Sequence, residues 1–468
     1  MFFRLLYDEQ LAQASYIVAC PVSGQALVVD PERDIDRYTR LAQQFGLEIT
    51  AVAETHIHAD FLSGSRELAH HTGAVVYLSG AGTPEWQYEW AGDGTVLLRG
   101  GESFRVGTLV VTAWHTPGHT PEHLSFTVTD AARGATVPLG MFTGDFLFVG
   151  DVGRPDLLET AVGQHGAARP SAEQLFESLR LLERFPDFLQ IWPGHGAGSA
   201  CGKAMAAIPQ STLGYERLYN PALQYVHDRE GFIRYILSSQ PEPPLYFARM
   251  KRENRRGPRL LGALPNPPEL TPARLLELLP QSVVVDTRPW ELFRRAHLQG
   301  ALYAPLNRAF PTVVASYVGE DTPVVLILSP RQLPEAVRML IRVGVDNLVG
   351  FLPPQALGEL REPWAQVRTL ERARDLSDRL AAGDAALVDV RSEAEYRAGH
   401  IPGALWAPYV RLPELAERLP RRELIVYCQS GERSAYAAAL LQRLGFPVWV
   451  FSGGMAQWVA EGGPVERA

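Results

Sequence analysis

Glu54-Thr55-His56-Ile57-His58-Ala59-Asp60-Phe61 places three metal-competent side chains at alternate positions. In an extended segment, residues two apart point the same way. His56, His58 and Asp60 can therefore converge as two imidazoles and a carboxylate, donors that zinc and iron both accept. The preceding Ile49-Thr50-Ala51-Val52-Ala53 reads as a short strand. The cluster then lies at a strand's carboxyl end, where α/β proteins build their sites. A lone histidine would be filler as often as a ligand; three donors in five residues predict a site.

Three later stretches repeat the theme: Thr116-Pro117-Gly118-His119-Thr120, Phe142-Thr143-Gly144-Asp145 and Trp192-Pro193-Gly194-His195-Gly196. Each sets one ligand-competent residue beside a glycine, which permits the tight turn that aims a side chain back over a sheet edge. Taken singly, His119 could cap a turn, Asp145 could be an N-cap and His195 could sit on the surface. Four in this order predict one shared site. Around them, residues 16–20 and 26–30 read as a hairpin with Cys20 in the core, and residues 36–45 as a helix stopped by Gly46. Continued alternation of strand and helix predicts helices packed on sheets.

The chain has 468 residues, too many for one core when domains run to about 100 to 200. A net charge of -8, with 46% hydrophobic and 21% charged residues, disfavours nucleic acid or an anionic membrane as the main partner. No apolar run approaches the ~18 residues of a membrane span. Asp8 and Glu9 interrupt the apolar start too soon for a signal peptide. Three cysteines (Cys20, Cys201, Cys428) exclude a disulfide framework and predict a reducing, cytoplasmic location.

The order T-H-x-H-x-D, P-G-H-T, T-G-D, P-G-H resembles the metallo-β-lactamase fold over residues 1–245, an αββα sandwich. With Gly153-Arg154-Pro155-Asp156 it is most similar to the persulfide dioxygenase branch. That resemblance implies one Fe(II) held by His56, His119 and Asp145, with His58, Asp60 and His195 orienting the ligands. Two histidines and one carboxylate also leave positions open for substrate and oxygen, as in non-haem Fe(II) oxygenases. Zinc hydrolases of this fold carry histidine directly after the motif's aspartate; here that residue is Phe61, which favours one metal. Arg154 is suited either to orienting an anionic substrate or to an ion pair with Asp156. Cys201 lies in a glycine-flanked loop six residues past His195; by default it is a buried structural cysteine, but the glycines argue against a packed core and for an exposed thiol that would contact substrate.

Prolines at 241–244 and 265–268 bracket a basic run at 249–256, which reads as a linker over residues 246–268. Beyond it the chain repeats: Asp286 and Asp389, and His297 and His400, are each separated by 103 residues in matching contexts. Two domains follow, residues 269–362 and 368–468, joined near Pro363. In the second, an apolar strand runs into Cys428-Gln429-Ser430-Gly431-Glu432-Arg433-Ser434 and then a helix, whose positive end and loop amides stabilise an anion at the thiol. This resembles the rhodanese family, in which the matching cysteine carries a persulfide sulfur; Cys428, Arg433 and Gly431 would be its working residues. Four residues separate Cys428 from Arg433, one fewer than in the similar cysteine phosphatases. The first copy has leucine near the thiol's place and is expected to be a structural, rhodanese-like three-layer α/β domain.

Together the resemblances imply Fe(II)-dependent oxidation of a small persulfide of glutathione, coenzyme A or a similar thiol by O2 to sulfite. Sulfur transfer among persulfide, sulfite and thiosulfate would accompany it, in sulfide detoxification by a homo-oligomer. A zinc thioester hydrolase resembling glyoxalase II and fused to a sulfurtransferase is the first alternative. A non-enzymatic sulfur-carrier or redox-sensing module is the second.

Overall fold

A computed structural model of the chain describes residues 1–161, 163–203, 205–238, 240–361 and 364–467. It divides into two compact units: Met1–Gln240 with Tyr246–Ala263, and Pro241–Leu245 with Leu264–Ala468.

The first unit holds two six-stranded sheets. One consists, in spatial order, of β1 (Phe2–Asp8), β2 (Gln13–Ala19), β3 (Gln25–Val29), β4 (Glu48–Ala53), β5 (Val75–Ser79) and β6 (Thr95–Leu98). The other contains β7 (Ser103–Val106), β8 (Leu109–His115), β9 (Leu124–Asp130), β10 (Gly140–Gly144), β11 (Gln190–Pro193) and β12 (Ser211–Thr212), ordered from β12 back to β7. Alternation along β2 shows why they stack. Tyr16 and Val18 enter a core with Phe126, Phe142 and Trp192 of the other sheet. Ile17 and Ala19 face the opposite way, onto Tyr38 and Ala42 of the Asp36–Gln44 helix. On the second sheet Met141 and Ile191 turn outward, packing with Leu175 of the Ala168–Leu179 helix and Phe232 of the Arg229–Leu237 helix. Helices therefore cover both outer faces, giving the αββα sandwich. The strand ending at Ala53, the antiparallel β2–β3 hairpin and the buried Cys20 all match the sequence reading.

The basic run departs from it. Residues 249–256 lie on the Phe247–Arg256 helix of the first unit, where Phe247, Met250, Lys251 and Asn254 are buried. That spacing of three and four is one helical stripe, which the density of charge and the flanking prolines concealed.

In the second unit each copy has its own parallel sheet. The first runs Leu302–Tyr303, Val283–Asp286, Val324–Ile327, Leu348–Leu352; the second runs Leu405–Trp406, Ala385–Asp389, Glu423–Tyr427, Val448–Phe451, with Arg368–Leu370 added at the far edge. The repeat extends to side chains. Arg288 forks onto Asp286 and reaches the Ala296 carbonyl, as Arg391 forks onto Asp389 and reaches that of Gly399. His297 stacks on Phe293 as His400 stacks on Tyr396. The join expected near Pro363 begins outside the described residues. Among the described residues no helix is long and apolar enough to cross a membrane.

Candidate metal centre and thiol loop

The ligand-competent residues of the four motifs each follow a strand. β4 delivers Glu54 to Asp60, β8 the turn bearing His119, β10 Asp145 and β11 His195. His119 Nε2 lies 3.3 Å from Asp145 Oδ2 and His56 Nε2 3.9 Å from the same oxygen. All three are buried, and one ligand atom from each falls within 4.8 Å of the others. Neither carboxylate oxygen of Asp145 has a hydrogen-bond partner among the described residues. An orphaned carboxylate beside two imidazoles in a buried site fits a metal ion and little else. Burial, then the neighbouring positive centres, hold His56 and His119 well below the usual histidine range. They stay neutral, the form that ligates.

A shell of contacts fixes which nitrogen faces inward. The Thr55 hydroxyl donates to Asp30 Oδ2 at 2.8 Å, so its oxygen can accept from His56 Nδ1 at 2.9 Å. Thr55 N also donates to Asp30 Oδ1 at 2.7 Å. His119 Nδ1 lies 3.1 Å from the Arg154 carbonyl. Both Nε2 atoms are left for the site. Gly144 has φ +49°, and a Cβ there would press on Thr55 and His123. His123, which the motifs did not single out, accepts the Asp145 N–H at Nε2 (3.0 Å) and pairs through Nδ1 with the Thr116 hydroxyl (2.8 Å). Its spacing after Pro-Gly-His was the available signal. Asp30 gave one too, as the polar residue closing an apolar strand.

His58 turns away from this group. Its Nε2 is 3.2 Å from Asp30 Oδ1 and 3.2 Å from Glu54 Oε2, all buried. Burial opposes charge on His58, yet Asp30 and Glu54 lift its pKa well above the usual range. Asp60 and His195 form a second group with Cys201, again within 4.8 Å. His195 Nε2 is 3.3 Å from Asp60 Oδ2 and 3.5 Å from Asp145 Oδ1, so Asp145 faces both groups.

Cys201 stands in the chamber as expected but is not exposed: it is 1% accessible, and burial followed by Asp145 and Asp60 pushes its pKa up. The flanking glycines fold the loop inward rather than outward. Arg154 takes the ion-pair alternative. Its guanidinium forks onto Asp156 and donates to the Ala200 carbonyl at 3.0 Å, bracing the residue before Cys201. The Phe247–Arg256 helix closes the other side. Asn254 donates to the His58 and Phe61 carbonyls at 2.9 and 2.7 Å and accepts from Ser63 N, and Tyr246 OH reaches the Asp60 carbonyl.

In the last domain, Cys428 ends the Glu423–Tyr427 strand and precedes the Glu432–Arg443 helix. Gly431 N donates to its Sγ at 3.1 Å and Ser434 Oγ stands 3.7 Å away. Gly431 has φ +98°, the left-handed turn that brings its amide back to sulfur. Arg433 is gripped at both ends by Glu395, at 2.6 and 2.7 Å. Burial raises the Glu395 carboxyl, but the guanidinium overrides it and brings the pKa down to about 2. In the first copy Ile327 pairs with Asp286 as Tyr427 pairs with Asp389, so Leu328 occupies the place of Cys428.

Residues 9–195 match the model of the metallo-beta-lactamase superfamily, and residues 372–461 that of the rhodanese-like domain. A crystal structure described as a metallo-beta-lactamase from Staphylococcus aureus is 39% identical, with a TM-score of 0.68, over 76% of this chain and 99% of that one. The hydroxyacylglutathione hydrolase of Tolumonas auensis is 33% identical over 39% of this chain and 62% of its own length. The mitochondrial persulfide dioxygenase ETHE1 of Bos taurus is 26% identical over 48% of this chain and 76% of its own. The chain therefore belongs to the metallo-beta-lactamase superfamily, and its residues 372–461 form a rhodanese-like domain.

Proposed function

We propose that the first unit oxidises a low-molecular-weight persulfide with dioxygen at a single Fe(II), and that the last domain transfers sulfane sulfur through Cys428. The balance is R–S–SH + O2 + H2O giving R–SH, sulfite and two protons. The observation that carries the reading is the ligand set. His56, His119 and Asp145 point at one another, His58 is drawn off by Asp30 and Glu54, and Phe61 brings no imidazole to Asp60. Iron(II) held by these three side chains would supply the redox chemistry that the use of dioxygen requires.

The chain's own residues prepare the reaction. Thr55 and the Arg154 carbonyl hold the imidazoles in register, and His123 holds the Asp145 backbone. Phe61 and Phe148 are buried beside His58 and His195, limiting water around the site. Cys201, a neutral thiol grouped with Asp60 and His195, supports a contact with the sulfur substrate.

In the last domain the Cys428 thiolate attacks the outer sulfur of R–S–SH. The S–S bond breaks, R–S⁻ leaves, and Cys428 keeps the sulfane sulfur as Cys–S–SH. Sulfite attacks that outer sulfur, thiosulfate departs with it, and the thiolate returns as one proton is released. The Gly431 amide and the helix end stabilise the anion before and after.

A second reading has its own support. Asp60, His195 and Cys201 gather in one group, with His195 Nε2 3.5 Å from Asp145 Oδ1, a donor set that would hold a second metal of a zinc thioester hydrolase. An oxygen electrode decides. Uptake with glutathione persulfide by the iron-loaded protein, lost in His119→Asn, supports the dioxygenase. Hydrolysis of S-lactoylglutathione by protein holding two zinc ions, without oxygen uptake, supports the hydrolase.

A further inference from the structure

Four side chains of the Phe247–Arg256 helix are buried, and two are polar. Asn254 spends both ends of its amide, on the His58 and Phe61 carbonyls and on Ser63 N. Lys251, one turn earlier on the same stripe, does not. It is 5% accessible, and its Nζ has no hydrogen-bond partner among the described residues. The ammonium lies 4.4 Å from the centre of the Trp86 ring. An enclosed ammonium is costly unless something answers its charge, and one aromatic face answers only part.

What surrounds Lys251 is the metal chamber. Glu122 is wholly buried beside Trp86: a Cβ on Gly82 would touch both side chains. Its Oε1 accepts from Ile57 N at 2.8 Å, between His56 and His58, while its Oε2 has no partner among the described residues. Burial pulls the Lys251 pKa down to about 8, against Glu122, Cys201, Asp145 and Asp60, which all favour its charge. The same charge acts on His56 and His119. The lysine is thus within electrostatic reach of both ligand groups, on a helix pinned directly to the His58 to Phe61 loop.

Asp60, Asp145 and Glu122 make the chamber acidic, so an anion held there needs a cation beside it. Lys251 is the one lysine or arginine that combines burial at this helix face with an ammonium lacking a hydrogen bond among the described residues. Arg154, by contrast, is held by Asp156. We propose that Lys251 is the anion-binding residue of the metal chamber, receiving the charged end of a small sulfur anion, either the arriving persulfide or the departing sulfite. The identity of that anion rests on the dioxygenase reading; the existence of an anion site does not.

The test uses the full, metal-loaded chain and sulfite as probe. Calorimetry should show sulfite binding weakened about tenfold or more in Lys251→Met, with Lys251→Arg keeping most of it, because a charge-assisted contact in a buried site is lost in one and kept in the other. Oxygen uptake with glutathione persulfide separates the two sources. A raised KM with unchanged sulfite affinity assigns the site to the persulfide, and weaker sulfite binding with unchanged KM assigns it to the product. A folded Lys251→Met in which neither quantity moves overturns the proposal. If Met is not tolerated, Lys251→Gln replaces it, and a chain that folds with neither makes the ammonium structural and overturns the proposal as well. Should the wild type take up no oxygen, the dioxygenase reading falls, while the sulfite comparison still judges the lysine.

Discussion

His58 Nε2 and Glu54 Oε2 sit 3.2 Å apart, both completely enclosed, and Glu54 is further held by the hydroxyls of Ser63 and Ser65. The carboxylate keeps the second histidine of the motif out of the ligand cluster. Removing the Glu54 charge leaves the enclosed His58 answered by Asp30 alone. Glu54→Gln should therefore lower the unfolding free energy of the first unit by about 3 kcal/mol, measured on the denaturant transition that reports that unit. An unchanged transition would show that the pair does not hold His58.

Thr55 links Asp30 to His56 through one hydroxyl. Thr55→Val keeps the shape and deletes that link. Metal affinity, measured by competition with a chelator, should fall about 10- to 100-fold, the usual cost of losing a group that orients a ligand. The fold should survive, since the valine fits where the threonine stood.

The Arg433–Glu395 pair gives the last domain a predictable response to acid. A folded-state pKa of about 2 lies below the ordinary glutamate value of about 4.3, so the pair's stabilisation is present above the latter and disappears as pH falls toward the former. Glu395→Gln should be less stable than wild type at neutral pH by about 1 kcal/mol, because the pair is partly open to solvent. That gap should close between about pH 4 and pH 2 in acid denaturation followed on this domain; a gap constant with pH would rule out the ion pair as its source.

Sulfur transfer should depend on one thiol. Cys428→Ser is expected to bring thiosulfate formation from persulfide and sulfite down to background while leaving oxygen uptake intact. Adding Leu328→Cys to that variant should not restore it. Ser329 and Gln332 cap each other in the first copy, and Pro330 lacks an amide hydrogen, so no loop like that around Gly431 awaits a sulfur there. Recovery of activity in the double variant would contradict this account.

Much of this was legible in the chain because donors placed just after apolar strands, beside glycine, have few other uses. His56, His119 and Asp145 ended in one group, and His195 in the adjoining one, 3.5 Å from Asp145. The 103-residue repeat was likewise readable, since the Asp–Arg fork and the stacked histidine need those residue types at those distances. Other contacts were not. Asp30 lies 25 residues upstream of Thr55, a separation that no local pattern spans. Lys251 was hidden by the charge around it, which argues for solvent in any window that ignores helical period. Cys201 was misread because flanking glycines announce a turn without saying which way it faces.

Hydrogen bonds join the first copy to the helix behind the Cys428 loop. Asn307 donates to Glu432 at 2.8 Å and to Tyr436 OH at 3.0 Å, and Arg443 reaches the Gly300 carbonyl, so both ends of the helix behind Cys428 lean on residues of the first copy. A truncated protein made by excising that copy would keep every reacting atom of the second and yet lose the abutment that keeps its helix from rocking. If the thiol's neighbour serves as masonry, its worth would be read in the tempo of sulfur exchange rather than in whether exchange occurs.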